Sequence, residues 1–157
     1  AKMAYTKVVV QTADFDAGQE STALLTGDTA DGALVTFTGL VRGGGITAME
    51  LEHYPEMTEK SLRAIVDDAR RRWPVLGGVT IIHRVGKLLP GDQIVLVIVA
   101  SPHRAAAFEA AEFMMDWLKT EAPFWKKEYF TDQTARWVDA READKKAKDR
   151  WNHVGHA

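Results

Sequence analysis

The chain has 157 residues, 46% of them hydrophobic and 27% charged, which is enough to bury a sizeable core. Twenty Lys and Arg against 22 Asp and Glu leave a formal net charge of -2, so no global basic field points to nucleic acid or an anionic membrane as partner, and any anion recognition must be local. The absence of Cys excludes disulfides, thiolate nucleophiles, persulfide carriers, Fe–S ligation and Cys-based zinc sites; sulfur chemistry here would need another molecule to deliver the sulfur.

The first residues, Ala1 to Tyr5, lead into a short β-like run and not into an apolar signal segment. The longest wholly apolar run, Ile94 to Ala100, falls far short of the roughly 18 residues that suggest a membrane span. These features describe a soluble, cytoplasmic protein. Tyr5 to Gln11, rich in Val and Thr, reads as a strand, and Asp14 to Asp31 is a poorly periodic stretch with room for one short helix. Ala33 to Leu40 reads as a second strand, expected to be central because Leu34, Val35, Phe37 and Leu40 leave little polar surface. Three glycines after Arg42 break it, and Ile46 to Tyr54 then alternates as a half-exposed strand with Met49, Leu51 and His53 on one side.

Thr58 to Trp73 has helical spacing of Leu62, Ile65, Val66 and Ala69, with Thr58 as its expected cap. Val79 to Val85 and Gln93 to Ala100 read as an antiparallel pair joined by the turn Leu89-Pro90-Gly91-Asp92. Ser101-Pro102 is expected to open a second helix, Ser as cap and Pro at the first helical position, with Phe108, Ala111, Met115 and Leu118 as its apolar stripe and Lys119 on its last turn before Pro123. Trp125 to Phe130 and Thr134 to Val138 read as closing strands, Arg141 to Trp151 as a charged, frayed helix, and 152–157 as a loose tail. Grouped strands with two separate amphipathic helices describe an α+β fold with largely antiparallel or mixed sheet, and no linker or repeat divides residues 1–157 into more than one domain.

Three stretches can carry chemistry. Lys119-Thr120-Glu121-Ala122-Pro123-Phe124-Trp125-Lys126-Lys127-Glu128 ends a helix at a Pro and sets aromatics between lysines, an arrangement that can hold an ammonium against low-dielectric walls as an acid, base or nucleophile; core aromatics beside solvated lysines would give the same string. Arg42 before Gly43-Gly44-Gly45 can grip an anion with a guanidinium and turned N–H groups, or be a plain flexible loop; it is neither a Walker loop nor a dinucleotide fingerprint. Ser101-Pro102-His103-Arg104 puts His103 and Arg104 at the positive end of a helix, where anions are favoured, although a structural cap explains it equally. His53 reads as a hydrogen-bonded interior residue, and neither His153-x-x-His156 nor any other set has metal-ligand spacing worth defending.

Taken in order, several segments resemble the catalytic (large) subunit family of molybdopterin synthase. They are Thr36-Phe37-Thr38-Gly39-Leu40-Val41-Arg42, Leu51-Glu52-His53-Tyr54-Pro55-Glu56-Met57, His83-Arg84-Val85-Gly86 with Pro90-Gly91-Asp92, His103-Arg104-x-x-x-Phe108, the Lys119 to Glu128 string, and Trp137-Val138-x-Ala140-Arg141. The lysine and aromatic string is the specific one. The resemblance implies an α/β hammerhead-like domain with an additional antiparallel β-sheet. It implies conversion of cyclic pyranopterin monophosphate (precursor Z) to molybdopterin, the dithiolene sulfurs arriving as a thiocarboxylate on the C-terminal glycine of a small ubiquitin-like subunit. It also implies a homodimer at the centre of a heterotetramer, with no cofactor and no metal. By motif match Lys119 and Lys126 become the catalytic pair, Leu40, Val41, Arg42, His103 and Arg104 bind pterin and phosphate, Lys127 and Glu128 line the same pocket, and Arg141 is a further anion contact. Two departures stand out: the turn through Gly43-Gly44-Gly45 replaces a longer polar loop, and Leu40 stands where some relatives carry a basic residue. A non-catalytic scaffold that captures a ubiquitin-like tail, and a phosphate-ligand sensor built on Arg42, His103 and Arg104, are the competing readings.

Overall fold

A computed structural model describes residues 4–27, 29–138, 148, 149 and 151. The architecture is α+β, with two four-stranded sheets. In chain order the elements are β1 (Thr6–Gln11), α1 (Ala17–Leu24), β2 (Ala33–Leu40), β3 (Ile46–His53), α2 (Pro55–Arg72), β4 (Val79–Arg84), β5 (Gly86–Leu88), β6 (Gln93–Ser101), α3 (Arg104–Glu121), β7 (Phe124–Phe130) and β8 (Ala135–Val138). The first sheet runs β1-β4-β6-β2, parallel between β1 and β4 and antiparallel elsewhere. The second, β5-β3-β7-β8, is wholly antiparallel.

The apolar run of β6 is explained by burial on both faces of the first sheet. Val95, Val97 and Val99 point into the main core with Val79 and Ile81 of β4 and Leu62, Val66, Phe113 and Met114 of α2 and α3. Leu96, Ile98 and Ala100 point the other way, with Ile82, against Leu24 at the end of α1. The strand that the sequence suggested as central, β2, is instead an edge: Leu34, Phe37 and Leu40 are exposed, and β4 and β6 hold the middle. Hydrophobic content alone does not rank strands, because an edge strand beside a cavity also carries apolar side chains.

Two helix starts differ from the sequence expectation. Helix α2 begins one turn before Thr58, with Tyr54 as N-cap and Pro55 in the first turn, where its missing N–H costs nothing. Thr58 is fully buried, and its hydroxyl donates to the Pro123 carbonyl at 3.4 Å, tying α2 to the entry of β7. Helix α3 begins at Arg104 with His103 as N-cap. Ser101 cannot cap it, because the β2–β6 ladder claims it as the last residue of β6, paired with Ala33. Phe108, expected in the apolar stripe of α3, faces outward; Ala111, Met115 and Leu118 are buried as expected, and Ala107, Ala110, Phe113 and Met114 widen that stripe.

Gly32 donates its N–H to Ser101 at this corner, and a Cβ added there would stand 2.5 Å from the Pro102 carbonyl oxygen. That atom is backbone and cannot swing away, so Gly32→Ala is expected to lower stability by about 1–3 kcal/mol, read as a reduced denaturant midpoint at unchanged slope.

The chain passes from the first sheet to the second at Gly86, whose φ of 87° suits glycine. A second core of Val41, Met49, Leu51, Val85 and Leu88 fills the space beneath that sheet. Most of 141–151, expected as a frayed helix, and the 152–157 tail lie outside the described residues. Lys148 and Asp149 are helical, and Trp151 is no frayed end: it is buried against Trp73 and Phe113 and donates Nε1–H to Asp116 at 2.6 Å.

Candidate functional site

Strand β7 sorts the lysine string by pleat, since successive side chains of a strand point to opposite faces. Lys126 is in register with Leu51 and Val138, and Glu128 with Met49 and Arg136. These residues, with Phe124 and Phe130, form one wall of a cavity of about 590 Å³. Lys119 and Thr120, on the last turn of α3, close a second side, and Phe37, Leu40, Arg42, Gly43 and Gly44 close a third. Gly44 and Gly45 adopt φ of 78° and 93°, so the loop after Arg42 needs its glycines to fold back over the cavity.

Four cationic side chains, Arg42, Lys119, Lys126 and Arg136, line this space against one carboxylate, Glu128, in a chain of net charge -2. Arg136 lies 3.6 Å from Glu128, and among the described lining residues cationic side chains outnumber carboxylates. The volume suits a small molecule, and the charge suits an anion. Among the described residues no group of three or more His, Asp or Glu is placed to hold a metal ion.

Of the residues singled out in the sequence, the fold gathers Leu40, Arg42, Lys119, Lys126 and Glu128 around one cavity. Val41 is buried in the second core, where it positions its neighbours. Lys127, expected in the same pocket, turns to the opposite face, with its ammonium 5.2 Å from the ring centre of Tyr129 and 5.6 Å from that of Trp137. His103 and Arg104 begin the helix that Lys119 ends, roughly 22 Å away at 1.5 Å per residue, too far to meet Lys119 within one chain. Arg141 lies outside the described residues.

Sequence reasoning missed His83. This residue is buried at the end of β4, lines the cavity, and stacks on Phe124 at 3.8 Å between ring centres with an 18° tilt. Its Nδ1 is 2.8 Å from the Arg84 carbonyl, an acceptor, so the Nδ1 carries the hydrogen. Burial pushes its pKa down to about 4, and the charges of Lys119, Lys126 and His53 push the same way against the Arg84 hydrogen bond. His83 is therefore a neutral imidazole at neutral pH. The signal was present: His83 directly follows Ile81 and Ile82 within β4, a titratable side chain in a strand whose only partly exposed residue is the closing Arg84.

The MoaE protein family model matches residues 10–121. The molybdopterin synthase catalytic subunit of Escherichia coli (strain K12) is 57% identical over 153 residues, covering 95% of this chain and all of that one. Among solved structures, the molybdopterin biosynthesis MoaE protein from Burkholderia ambifaria superposes with a TM-score of 0.82 at 53% identity, covering 94% of this chain and 98% of the other. The molybdopterin synthase structure from Staphylococcus aureus gives 0.76 at 34% identity over 83% and 95%. With a family match across most of its core elements and full-length relatives above half identity, the chain belongs to the MoaE family, the catalytic subunits of molybdopterin synthase.

Proposed function

We propose that this chain is the catalytic subunit of a molybdopterin synthase, a sulfurtransferase acting in molybdenum cofactor biosynthesis. It converts cyclic pyranopterin monophosphate to molybdopterin with sulfur from the thiocarboxylated C-terminus of a small ubiquitin-like subunit. The observation that carries this reading is the convergence of Lys119 and Lys126, from two separate elements, on one cation-rich cavity of small-molecule size. The name of the Escherichia coli relative supports it, since a catalytic subunit implies at least one further subunit. The lack of Cys fits a sulfur atom that arrives on a partner.

The arrangement of the cavity supports a division of labour. Arg42 and the glycine loop, on the third side of the cavity, offer a guanidinium and N–H groups to the substrate phosphate. One of the two lysines acts as general acid or base at the pterin side chain. The other stabilises the negative charge that develops at the thiocarboxylate carbonyl when its sulfur is transferred. Phe124 and Phe130 give the cavity an apolar, low-dielectric wall, beside which both interactions are stronger than in bulk water. The Arg136–Glu128 pair sets the remaining wall.

His103 and Arg104 reach a ligand in this cavity only from a second copy of the chain, which the homodimer of the heterotetramer would supply. No helix among the described residues is long and apolar enough to cross a membrane, and the reading places the enzyme in the cytoplasm. Reconstitution tests the proposal. Purified chain, thiocarboxylated small subunit and cyclic pyranopterin monophosphate together are expected to yield molybdopterin, detected as its oxidised fluorescent derivative. Omitting any one is expected to abolish it. A stable complex that makes no product would mean a scaffold and not a synthase.

A further inference from the structure

The lysines account for the charge of the cavity but not for the buried imidazole on its wall. His83 is 5% exposed, its ring face is covered by Phe124, and its Nδ1–H is committed to the Arg84 carbonyl. Its remaining polar atom, Nε2, carries a lone pair and has no hydrogen-bond partner among the described residues. It is also absent from the buried polar atoms sealed off without a partner, which among the described residues are Thr80 Oγ1 and Trp117 Nε1, so it opens toward the cavity that His83 lines.

An acceptor that opens into a binding cavity can take its hydrogen bond from a ligand N–H or O–H in place of water. We propose that His83 Nε2 is a substrate-recognition group that accepts a hydrogen bond from an N–H or O–H of the pyranopterin ring, fixing the ring's orientation between Lys119 and Lys126. This inference rests on the pterin reading above and deepens it. A carboxylate in the same place would also accept, but it would pair with the lysine ammonium groups and neutralise the field that attracts the phosphate. A cation there would repel both lysines. The neutral imidazole adds recognition without altering the charge of the site, and the Arg84 carbonyl holds the tautomer that leaves Nε2 as the acceptor.

Binding separates recognition from turnover, because without the small subunit no sulfur can be transferred. Cyclic pyranopterin monophosphate titrated calorimetrically into the chain alone is expected to bind His83→Phe roughly three- to tenfold more weakly than wild type, the worth of one hydrogen bond. His83→Gln, which keeps an acceptor, is expected to recover part of the loss. Sulfate, an anion without a donor, is expected to compete equally well in wild type and His83→Phe. In wild type, the His83 Nε2 nitrogen resonance is expected to shift on pterin binding and to stay fixed with sulfate, a readout that needs no variant. Pterin affinity unchanged in His83→Phe, or an Nε2 resonance unmoved by bound pterin, overturns the assignment while the synthase reading stands. Failure of wild type to bind the pterin overturns both.

Discussion

Lys119→Ala and Lys126→Ala are each expected to lower the single-turnover rate of molybdopterin formation by about 10²–10⁴-fold, the range for loss of a positioned proton-transfer group or charge stabiliser. The fold should survive both changes. Lys119 is exposed on the last turn of α3, and Lys126 reaches the cavity wall from a strand whose backbone ladder does not depend on the side chain. Equal far-ultraviolet spectra and an intact complex with the small subunit would separate chemistry from folding. The double variant is expected to be little worse than the weaker single one if the two act in one step, because groups that act as a unit are not additive. Lys60→Ala, on the exposed side of α2, serves as the charge-matched control. Normal turnover by both lysine variants with authentic partner and substrate would remove the assigned roles.

The second large effect concerns pH and stability. The folded-state pKa of His83 is lowered from 6.5 to about 4, so between those values the unfolded chain holds a proton that the folded chain does not. Acid therefore favours unfolding. The contribution is fully retained above pH 6.5 and is lost progressively as the pH falls to 4, to a total on the order of 3 kcal/mol. Chemical denaturation of wild type and His83→Phe at pH 7 and at pH 4.5 reads this as a difference of differences, so that other titrating groups cancel. The variant is expected to lose markedly less stability on acidification. Parallel pH profiles would mean that His83 is not held neutral.

How far this could be read from the sequence depended on what kind of signal each residue gave. Strands β4 and β6 and the stripes of α2 and α3 were legible because burial against two layers forces apolar periodicity into the chain. The start of α3 was not: Ser101-Pro102 has the composition of a helix cap, and only its pairing with Ala33, far away in sequence, shows that it ends a strand. The central position expected for β2 failed for a related reason, since Phe37 and Leu40 are apolar and exposed beside a cavity.

The site divides similarly. Lys119 and Lys126 were found because their string resembles the family's, and strand alternation, applied to that string, separates Lys127 from them. Local sequence already set His103 and Arg104 at the start of α3 and Lys119 on its last turn, a helix length apart; only the family resemblance put them in one site. His83 was hidden because a histidine at the end of an apolar strand reads as interior. Its role follows only from what surrounds it: a carbonyl on one nitrogen, Phe124 on the ring face and the cavity beyond.

The central claim is that sulfur meets pterin in the cavity between Lys119 and Lys126. The most direct measurement is a crystal structure of Lys119→Ala, which should arrest turnover, in complex with the thiocarboxylated small subunit and cyclic pyranopterin monophosphate. The account predicts the partner's C-terminal tail and the pterin within reach of each other in this cavity, with Lys126 at the reacting atoms and the phosphate toward Arg42. A pterin bound elsewhere, or a partner tail that ends away from the cavity, would contradict it.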